Sequence, residues 1–170
     1  MPGSDNDNPF EWYAVRVRTR AETTVNQVLR SRDIETLCPT YKSSRIYSDR
    51  VKNVEQALFP GYLFCRINWS DRLPILSTPG VDSIVGFGRE PHPVDPLEMQ
   101  ALQAVLRAGL LAHPHKYLRV GQRVRVEAGP LANMEGILVA AKNEFRLVLS
   151  VSLLQRSISV EVDRAIVSPA

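Results

Sequence analysis

The segment at residues 58–67, LFPGYLFCRI, constrains the fold of this chain more than any other stretch. The Pro-Gly pair inside it is typical of a turn, and the residues after the turn alternate with the two-residue period of a β-strand. One face of that strand is apolar and predicts contact with a core, through Leu63, Cys65 and Ile67. The other face carries two aromatic rings and a guanidinium, on Tyr62, Phe64 and Arg66. Aromatic residues and arginine are enriched where proteins bind one another, so this face is either buried or open to a partner.

The composition fits a globular protein of one domain or two small ones, because 44% of the 170 residues are hydrophobic and 23% are charged. No run approaches the roughly 20 apolar residues that span a membrane, and the polar start MPGSDNDN lacks the apolar core of a signal peptide. Cys38 and Cys65 lie in apolar surroundings. We expect buried free thiols of a cytoplasmic protein, although a pairing between them stays open. No Cys/His spacing indicates zinc, and no cofactor is predicted.

The net charge of +3 is small, and its distribution argues against an autonomous DNA-binding protein. Residues 1–110 hold 13 basic and 13 acidic residues, whereas residues 111–170 hold 8 and 5. Proteins that hold DNA on their own neutralise many phosphates with dense positive charge. Any nucleic-acid contact of this chain is therefore expected to assist contacts with a protein.

The N-terminal part predicts a strand, a helix and a second extended segment after a disordered start at residues 1–10. The run WYAVRVR alternates as a half-buried strand does. Thr19 and Glu22 have the spacing of a capping box. The apolar residues after them recur at helical intervals, so we expect a helix over residues 20–32. Residues 34–41 then return to an extended pattern.

Residues 41–54 are polar and predict a projecting hairpin with basic side chains. The candidate nucleic-acid contacts in it are Lys42, Arg45, Arg50 and Lys52. Tyr41 and Tyr47 lie among them, and basic residues with interleaved aromatics can hold a phosphate backbone and stack bases. A solvated loop explains the same pattern, so both interpretations stay open.

Two helices and a strand are predicted between the central strand and a linker. A short helix over residues 71–76 has Ser70 as its cap, and an apolar strand follows over residues 81–87. A second helix start is predicted by an acidic cap, an early proline and a glutamate, at Asp95, Pro96 and Glu98. Gly109 fits the position just past that helix. Residues 110–117 are predicted to be a polar linker, because their two histidines have no third metal ligand nearby in sequence.

From Val120 onward the pattern changes to short, alternating, β-branched runs separated by turns. The strands predicted there cover residues 123–127, 136–141, 146–151, 157–162 and 165–167. So many short strands in about fifty residues fit a small closed barrel better than a sandwich, because closure removes exposed edges. No nucleophile with a base and no paired acid/base carboxylates present themselves, so an enzyme is not predicted.

Three features in this order resemble the NusG family of transcription elongation factors. They are Trp12-Tyr13 at the first strand, the FPGY turn at residues 59–62 and the GP-x-A-x-x-x-G element at residues 129–136. The resemblance covers nearly the whole chain and implies an α+β fold. Residues 11–109 would form the NusG N-terminal (NGN) domain, an antiparallel sheet flanked by helices. Residues 118–170 would form a KOW domain, a small all-β SH3-like barrel.

Members of this family bind RNA polymerase at the tip of the clamp helices of its largest subunit, so the resemblance implies that partner here. Carried over by position, the apolar patch for this contact comprises Phe59, Tyr62, Phe64, Ile84 and Phe87. The domain would act as a monomer, bridge the polymerase cleft, hold the clamp closed on the nucleic acid and suppress pausing or termination. For the face that carries Tyr62 and Phe64, the resemblance favours a partner surface over burial.

Further contacts with polymerase, DNA and a second factor are implied by the same resemblance. Specialised relatives of the RfaH type make a second polymerase contact through a His-Thr-Thr segment, which is replaced here by one that begins with Asp71 and Arg72. The basic hairpin corresponds to the family region near upstream DNA and the non-template strand. The KOW positions that would bind the termination factor Rho or a small-subunit ribosomal protein are Leu131, Met134 and Leu154.

Some stretches, such as WYAVRVRTRAE and LSTPGVDSIVGFG, are more similar to specialised members of the family, of the RfaH and UpxY types, than to its general member. Such members act as antiterminators on long operons for surface polysaccharides. KOW barrels also occur in ribosomal proteins, so a ribosome-associated RNA-binding protein is the alternative function. The β-branched residues of the barrel strands favour a stable all-β state.

Overall fold

The computed structural model describes residues 8–47, 50–118, 121–141 and 143–170, with the side chains at residues 45–47 excepted. Contacts divide the chain into two compact units. The first unit combines Met1–Cys38 with Pro60–Val94, and the second unit combines Pro39–Phe59 with Asp95–Ala170. Both units are discontinuous in sequence, because residues 39–59 belong with the C-terminal part of the chain.

The described residues form short strands and three helices. In sequence order the strands are β1 (Phe10–Val17), β2 (Glu35–Leu37), β3 (Thr40–Tyr47), β4 (Arg50–Ala57), β5 (Tyr62–Asn68), β6 (Val81–Ile84), β7 (Gly86–Phe87), β8 (Glu90–Pro91), β9 (Ala112–His115), β10 (Gln122–Val126), β11 (Glu135–Ala141), β12 (Glu144–Val151), β13 (Arg156–Val162) and β14 (Val167–Pro169). The helices are α1 (Glu22–Ser31), α2 (Leu73–Leu76) and α3 (Pro96–Arg107). None of these described helices is long and apolar enough to cross a membrane. The disorder predicted for residues 1–10 falls mainly on residues 1–7, which lie outside the described residues.

The first unit is built on a four-stranded antiparallel sheet in the order β2-β5-β1-β6. One face of this sheet forms a core with α1 and α2, which comprises Tyr13, Val15, Val17, Val25, Leu29, Leu63, Cys65, Ile67 and Ile75. The core face predicted for β5 is therefore confirmed. Burial of such apolar side chains contributes about 1.5–3 kcal/mol each and holds the helices on the sheet.

Helix α1 starts differently from the predicted capping box. Its N-cap is Ala21, which makes no side-chain cap, and Glu22 is the first helical residue. The Glu22 carboxylate instead accepts a hydrogen bond from the Gly61 N–H, 2.8 Å away, while the Gly61 carbonyl accepts one from the Val17 N–H. Gly61 has φ +84°, a conformation that glycine adopts without strain. Two neighbouring elements therefore fix the turn before β5.

The chain after β5 departs from the prediction in two places. Asn68, rather than Ser70, caps a 3-10 turn, and α2 follows. The strand predicted over residues 81–87 is interrupted at Val85, between β6 and β7. Strand β6 ends at Ile84, and the chain continues as the small hairpin β7–β8.

The second unit contains the β3–β4 hairpin, helix α3 and a six-stranded antiparallel sheet in the order β14-β10-β11-β12-β13-β9. The predicted start of α3 is confirmed, because the Asp95 carboxylate accepts hydrogen bonds from the backbone N–H groups of Leu97 and Glu98. Gly109 follows the end of this helix, as predicted, at φ +66°. Local capping signals therefore set both ends of α3.

The six-stranded sheet contains four of the strands that the sequence predicts after Val120, together with β14 and one further strand. The strand predicted over residues 165–167 is wrong in position, because Arg164–Ile166 form a 3-10 turn and β14 begins at Val167. The further strand, β9, pairs with β13 and lies within the segment predicted as a linker. One face of the sheet buries apolar side chains, among them Val124, Leu147 and Val160. This antiparallel all-β region agrees with the predicted KOW fold.

Cys38 and Cys65 are free thiols, and Cys65 is buried as predicted, whereas Cys38 is half-buried. Burial raises the pKa of the Cys65 thiol to about 12, and the neighbouring Cys38 adds to that effect. Burial likewise raises the pKa of the Cys38 thiol to about 11. Both values lie above the pKa of an unfolded thiol, about 8.5, so the folded chain disfavours ionisation of either group.

These raised pKa values predict a loss of stability in alkaline solution. Below about pH 8.5 the thiols are neutral in both states and leave the free energy of unfolding unchanged. Between about pH 8.5 and 11 only the unfolded chain ionises, so the free energy of unfolding should fall as pH rises. Urea titrations across this range check the prediction. A Cys38→Ala/Cys65→Ala variant should lose less stability than the natural chain over the same interval, and an equal loss would contradict the assignment.

Candidate functional site

Tyr62 opens β5 and lies opposite Arg16 of β1. Arg16 Nη2 donates a hydrogen bond to the Tyr62 hydroxyl at 3.3 Å, and the guanidinium carbon lies 5.8 Å from the ring centre. At the other end of this face, Arg66 Nη1 lies 3.3 Å from Glu35 Oε2, and its guanidinium carbon lies 5.8 Å from the Phe10 ring centre. Both arginines therefore pack on aromatic rings while their charges stay near solvent.

The centre of that face is closed. Phe64 is 0% exposed and lies opposite Ala14, which is equally buried. A side chain without accessible surface cannot contact a partner directly, so Phe64 can only support the surface around it. The sequence left open whether this face is buried or open to a partner. Phe64 is buried, whereas Tyr62 is half-buried and keeps some accessible surface.

Within the first unit, the members of the predicted polymerase patch do not share one face of the sheet. Ile84 lies opposite Val15 and packs against the helix-side core, whereas Tyr62 belongs to the other face of the sheet. Phe59 belongs to the second unit and is 1% exposed. Tyr62 and Phe87 are therefore the aromatic members of the set with accessible surface.

Phe87 is the most accessible ring of the predicted patch, with 66% exposure. It lies on the β7–β8 hairpin, where it meets the His92 ring edge-on at 5.1 Å between centroids. The hairpin is tight at Gly86, because a Cβ there would lie 1.9 Å from the carbonyl oxygen of Glu90. Glycine at this position therefore determines how the hairpin presents Phe87.

The predicted second polymerase contact lies at the 3-10 turn and the residue after it. Asp71 is exposed. Arg72 is held in place, since its guanidinium carbon lies 4.9 Å from the centre of the Trp69 ring and its Nη1 donates to the Trp69 carbonyl at 3.2 Å. The adjoining α2 exposes Leu73 and Leu76. This apolar pair was not predictable, because the run LPIL does not indicate which of its residues face solvent.

Strand register sorts the basic residues of the β3–β4 hairpin. The opposed pairs are Arg45–Lys52, Tyr47–Arg50 and Lys42–Glu55. Alternate positions of a strand belong to opposite faces, and directly opposed positions share a face. Arg45, Arg50 and Lys52 therefore occupy positions of one face, while Lys42 occupies the other face beside an acidic residue.

The residues predicted to bind a second factor through the KOW domain are mostly buried. Leu131 is 3% exposed and Leu154 is 6% exposed, while Met134 is half-buried. The Met134 carbonyl accepts a hydrogen bond from the Val126 N–H at the end of β10. Within this set, Met134 is thus the residue with accessible surface.

No group of three or more His, Cys, Asp or Glu side chains in the described part of the chain is placed to hold a metal ion. His113 and His115 lie on β9. The His113 ring meets that of Tyr41 edge-on at 5.7 Å between centroids, and His115 Nδ1 lies 2.8 Å from the Lys116 carbonyl oxygen. Both histidines therefore make contacts within the second unit.

Comparisons with known proteins point to one family. A family model described as "Transcription termination factor nusG" matches residues 10–103. The "Transcription termination/antitermination protein NusG" of Helicobacter pylori strain J99 is 26% identical over 166 residues, which cover 90% of this chain and 94% of that protein. The protein of the same description from Staphylococcus aureus strain Mu50 is 27% identical over 169 residues, covering 89% and 91%.

One solved structure supports the same fold. It is described as "Domain interaction in Thermotoga maritima NusG" and is 19% identical in sequence. The match covers 94% of this chain and 97% of that chain, with a TM-score of 0.59. At this level of identity the likeness shows a shared fold.

Proposed function

The chain belongs to the NusG family of transcription termination and antitermination factors, and from that we propose that it binds RNA polymerase through its first unit and regulates elongation. The observation that carries this proposal is the β7–β8 hairpin, which exposes Phe87 beside His92. Exposed aromatic rings are costly to leave in water and are frequent anchors of protein interfaces. Tyr62, packed with Arg16, offers a second anchor.

The proposed mechanism is mechanical. The first unit binds the tip of the clamp helices of the largest polymerase subunit and bridges the cleft, with Asp71 and Arg72 at the second contact. A clamp held closed on the nucleic acid suppresses pausing and termination. In the second unit, Met134 marks the surface that recruits Rho or a small-subunit ribosomal protein. No side chain performs covalent chemistry in this scheme.

Phe87→Ala is expected to weaken binding to core RNA polymerase by about 30-fold, because truncating an interface anchor typically costs about 2 kcal/mol. Tyr62→Ala should have a smaller effect in the same direction, since the ring is half-buried. Biolayer interferometry with immobilised polymerase measures both affinities. Phe10→Ala is the matched control, because it removes another exposed phenylalanine from the far end of β1 and should change affinity less than twofold.

The outcomes of this experiment separate the proposals. If the natural chain binds polymerase and both Phe87→Ala and Tyr62→Ala bind equally well, the polymerase surface lies elsewhere on the protein. If the natural chain does not bind polymerase, the proposed function fails. Co-sedimentation with ribosomal subunits would then test the ribosome-associated alternative.

We also propose that the β3–β4 hairpin contacts the non-template strand through the face of Arg50 and Lys52. Replacing both with alanine should lower the slope of log affinity against log salt by about 1.4 for single-stranded DNA, because each lost phosphate contact accounts for about 0.7. Fluorescence anisotropy with an oligonucleotide at several salt concentrations measures the slope. Lys42→Ala is the control from the opposite face. If Lys42→Ala lowers the salt slope by as much as each of the other two substitutions does, the DNA contact is not confined to the face of Arg50 and Lys52.

A further inference from the structure

The second unit contains an open groove of about 660 Å³ at one end of its six-stranded sheet. The last pairing between β9 and β13 joins Ala112 to Val160. Beyond it, Leu110 and Leu111 form one wall of the groove, and the end of β13 forms another. The start of β12 supplies the remaining wall, so three segments of the chain meet there.

The floor of this groove is apolar. Phe145 and Val162 are cross-strand partners on the face that buries Leu147 and Val160 further along the same strands. At the groove Phe145 and Val162 are only half-buried, because the sheet ends there. Leu111 is 82% exposed. An apolar surface of this kind costs free energy in water and is typical of a binding site.

The rim of the groove is acidic, in contrast with the region around it. Residues 111–170 contain 8 basic and 5 acidic residues. Three of those five acidic residues line the groove, namely Glu144, Glu161 and Asp163. The rim therefore has a negative local charge within a part of the chain that is positive overall.

Two of the three rim carboxylates, those of Glu161 and Asp163, have no ion-pair partner among the described residues. Arg146 lies 2.6 Å from the third, Glu144. Arg164, the basic residue on the groove, has its Nη1 3.5 Å from the Val167 carbonyl oxygen. The rim carboxylates would repel the phosphates of a nucleic acid and attract cationic side chains.

We propose that this groove docks a basic amphipathic segment of a partner protein. An apolar anchor of the segment enters between Leu111 and the Phe145–Val162 floor, while lysine or arginine residues beside the anchor meet Glu161 and Asp163. The apolar floor supplies contact area, and the charges on the rim select a cationic partner. This inference does not depend on polymerase binding, because it rests on the groove alone.

The test uses the full-length chain, labelled with ¹⁵N, and two synthetic peptides. One is an amphipathic helix of leucine and lysine, and the other has glutamate in place of every lysine. The lysine peptide should shift amide resonances at residues 110–111, 144–145 and 161–164, and the glutamate peptide should not. Glu161→Gln/Asp163→Asn should weaken binding of the lysine peptide about tenfold, because two charge contacts are lost.

Two further variants keep the proposal falsifiable. Glu127→Gln/Glu135→Gln removes the same charge from other parts of the second unit and should leave affinity within twofold. Leu111→Ser removes an exposed side chain that folding does not bury, and it should weaken the lysine peptide as well. Equal binding of the two peptides, shifts that map elsewhere, or equal affinity of both charge variants would overturn the proposal. So would a dimer in sedimentation equilibrium that Leu111→Ser abolishes, because the occupant would then be a second copy of the chain.

Discussion

Phe64→Ala is expected to lower the free energy of unfolding by about 3–5 kcal/mol, the usual cost of truncating a fully buried phenylalanine. The ring is 0% exposed, and its strand neighbours across the sheet are Ala14 and Leu37. Alanine at this position would leave a cavity, because the surrounding structure relaxes only partly into the lost volume. Urea unfolding followed by tryptophan fluorescence suits the measurement, because Trp12 and Trp69 both belong to the first unit.

Phe87→Ala serves as the control, because the same truncation at an exposed site should change the free energy of unfolding by less than about 0.5 kcal/mol. A loss below about 1 kcal/mol for Phe64→Ala would contradict the burial described here. The comparison also affects how binding experiments are designed. A Phe64 variant with reduced polymerase binding would report lost stability, whereas a Phe87 variant would report a lost contact.

Gly86→Ala is expected to weaken polymerase binding as much as Phe87→Ala, by about 30-fold, although it removes no partner contact. The new Cβ would lie 1.9 Å from the Glu90 carbonyl oxygen and 2.6 Å from Pro91 Cα. Both are backbone atoms, so the β7–β8 pairing must open. Phe87 would then lose the fixed presentation on which the proposed contact depends. Amide resonances of residues 86–91 and polymerase affinity together measure the effect.

Gly88→Asn is the matched control within the same hairpin. Gly88 has φ +59°, and a Cβ there would meet no atom within 4 Å. Asparagine tolerates this left-handed conformation better than most residues, so the hairpin and the affinity should be nearly unchanged. If Gly86→Ala binds polymerase normally while its hairpin resonances are lost, Phe87 is not the anchor.

Local signals in the sequence predicted local structure well. The start of α3 was predictable because Asp95 and Pro96 act within a single turn, although the Glu98 carboxylate itself accepts hydrogen bonds from Ser152, 54 positions away. The capping box at Thr19 and Glu22 failed for a tertiary reason, since the Glu22 carboxylate bonds to a residue 39 positions away. The spacing between cap and glutamate gives no sign that either carboxylate bonds to a distant segment.

Strand alternation predicted faces but not what covers them. The pattern after Gly61 separated Leu63 from Phe64 correctly, yet it gave no sign that both would be buried. The face of Ile84 depends on its pairing with Val15, in a ladder whose register shifts one residue further along β1. The family resemblance therefore assigned Ile84 to the polymerase patch by its position in the sequence, but it did not indicate which residues surround Ile84 in the fold.

Two other features required the pairing of distant strands to become visible. Strand β9 carries the sequence AHPH, which has no β-branched residue and contains a proline, so its pairing with β13 was not predictable from composition. In the basic hairpin, the sequence grouped Lys42 with the other basic residues. The strand register shows that Lys42 lies on the opposite face from Arg50 and Lys52. Charge was therefore predictable from composition, whereas the face that carries it was not.

The turn before β5 is bonded on both sides, with its N–H held by Glu22 of α1 and its carbonyl held by Val17 of β1. Tyr62 is the next residue along the chain, so the position of its ring depends on this turn. A substitution of Glu22 would remove one of the two bonds that hold this turn without altering any atom of the Tyr62 side chain. The position of this aromatic ring therefore depends on α1 and β1, whereas its chemistry is set by the residue that opens β5. Sequence changes can alter the two separately.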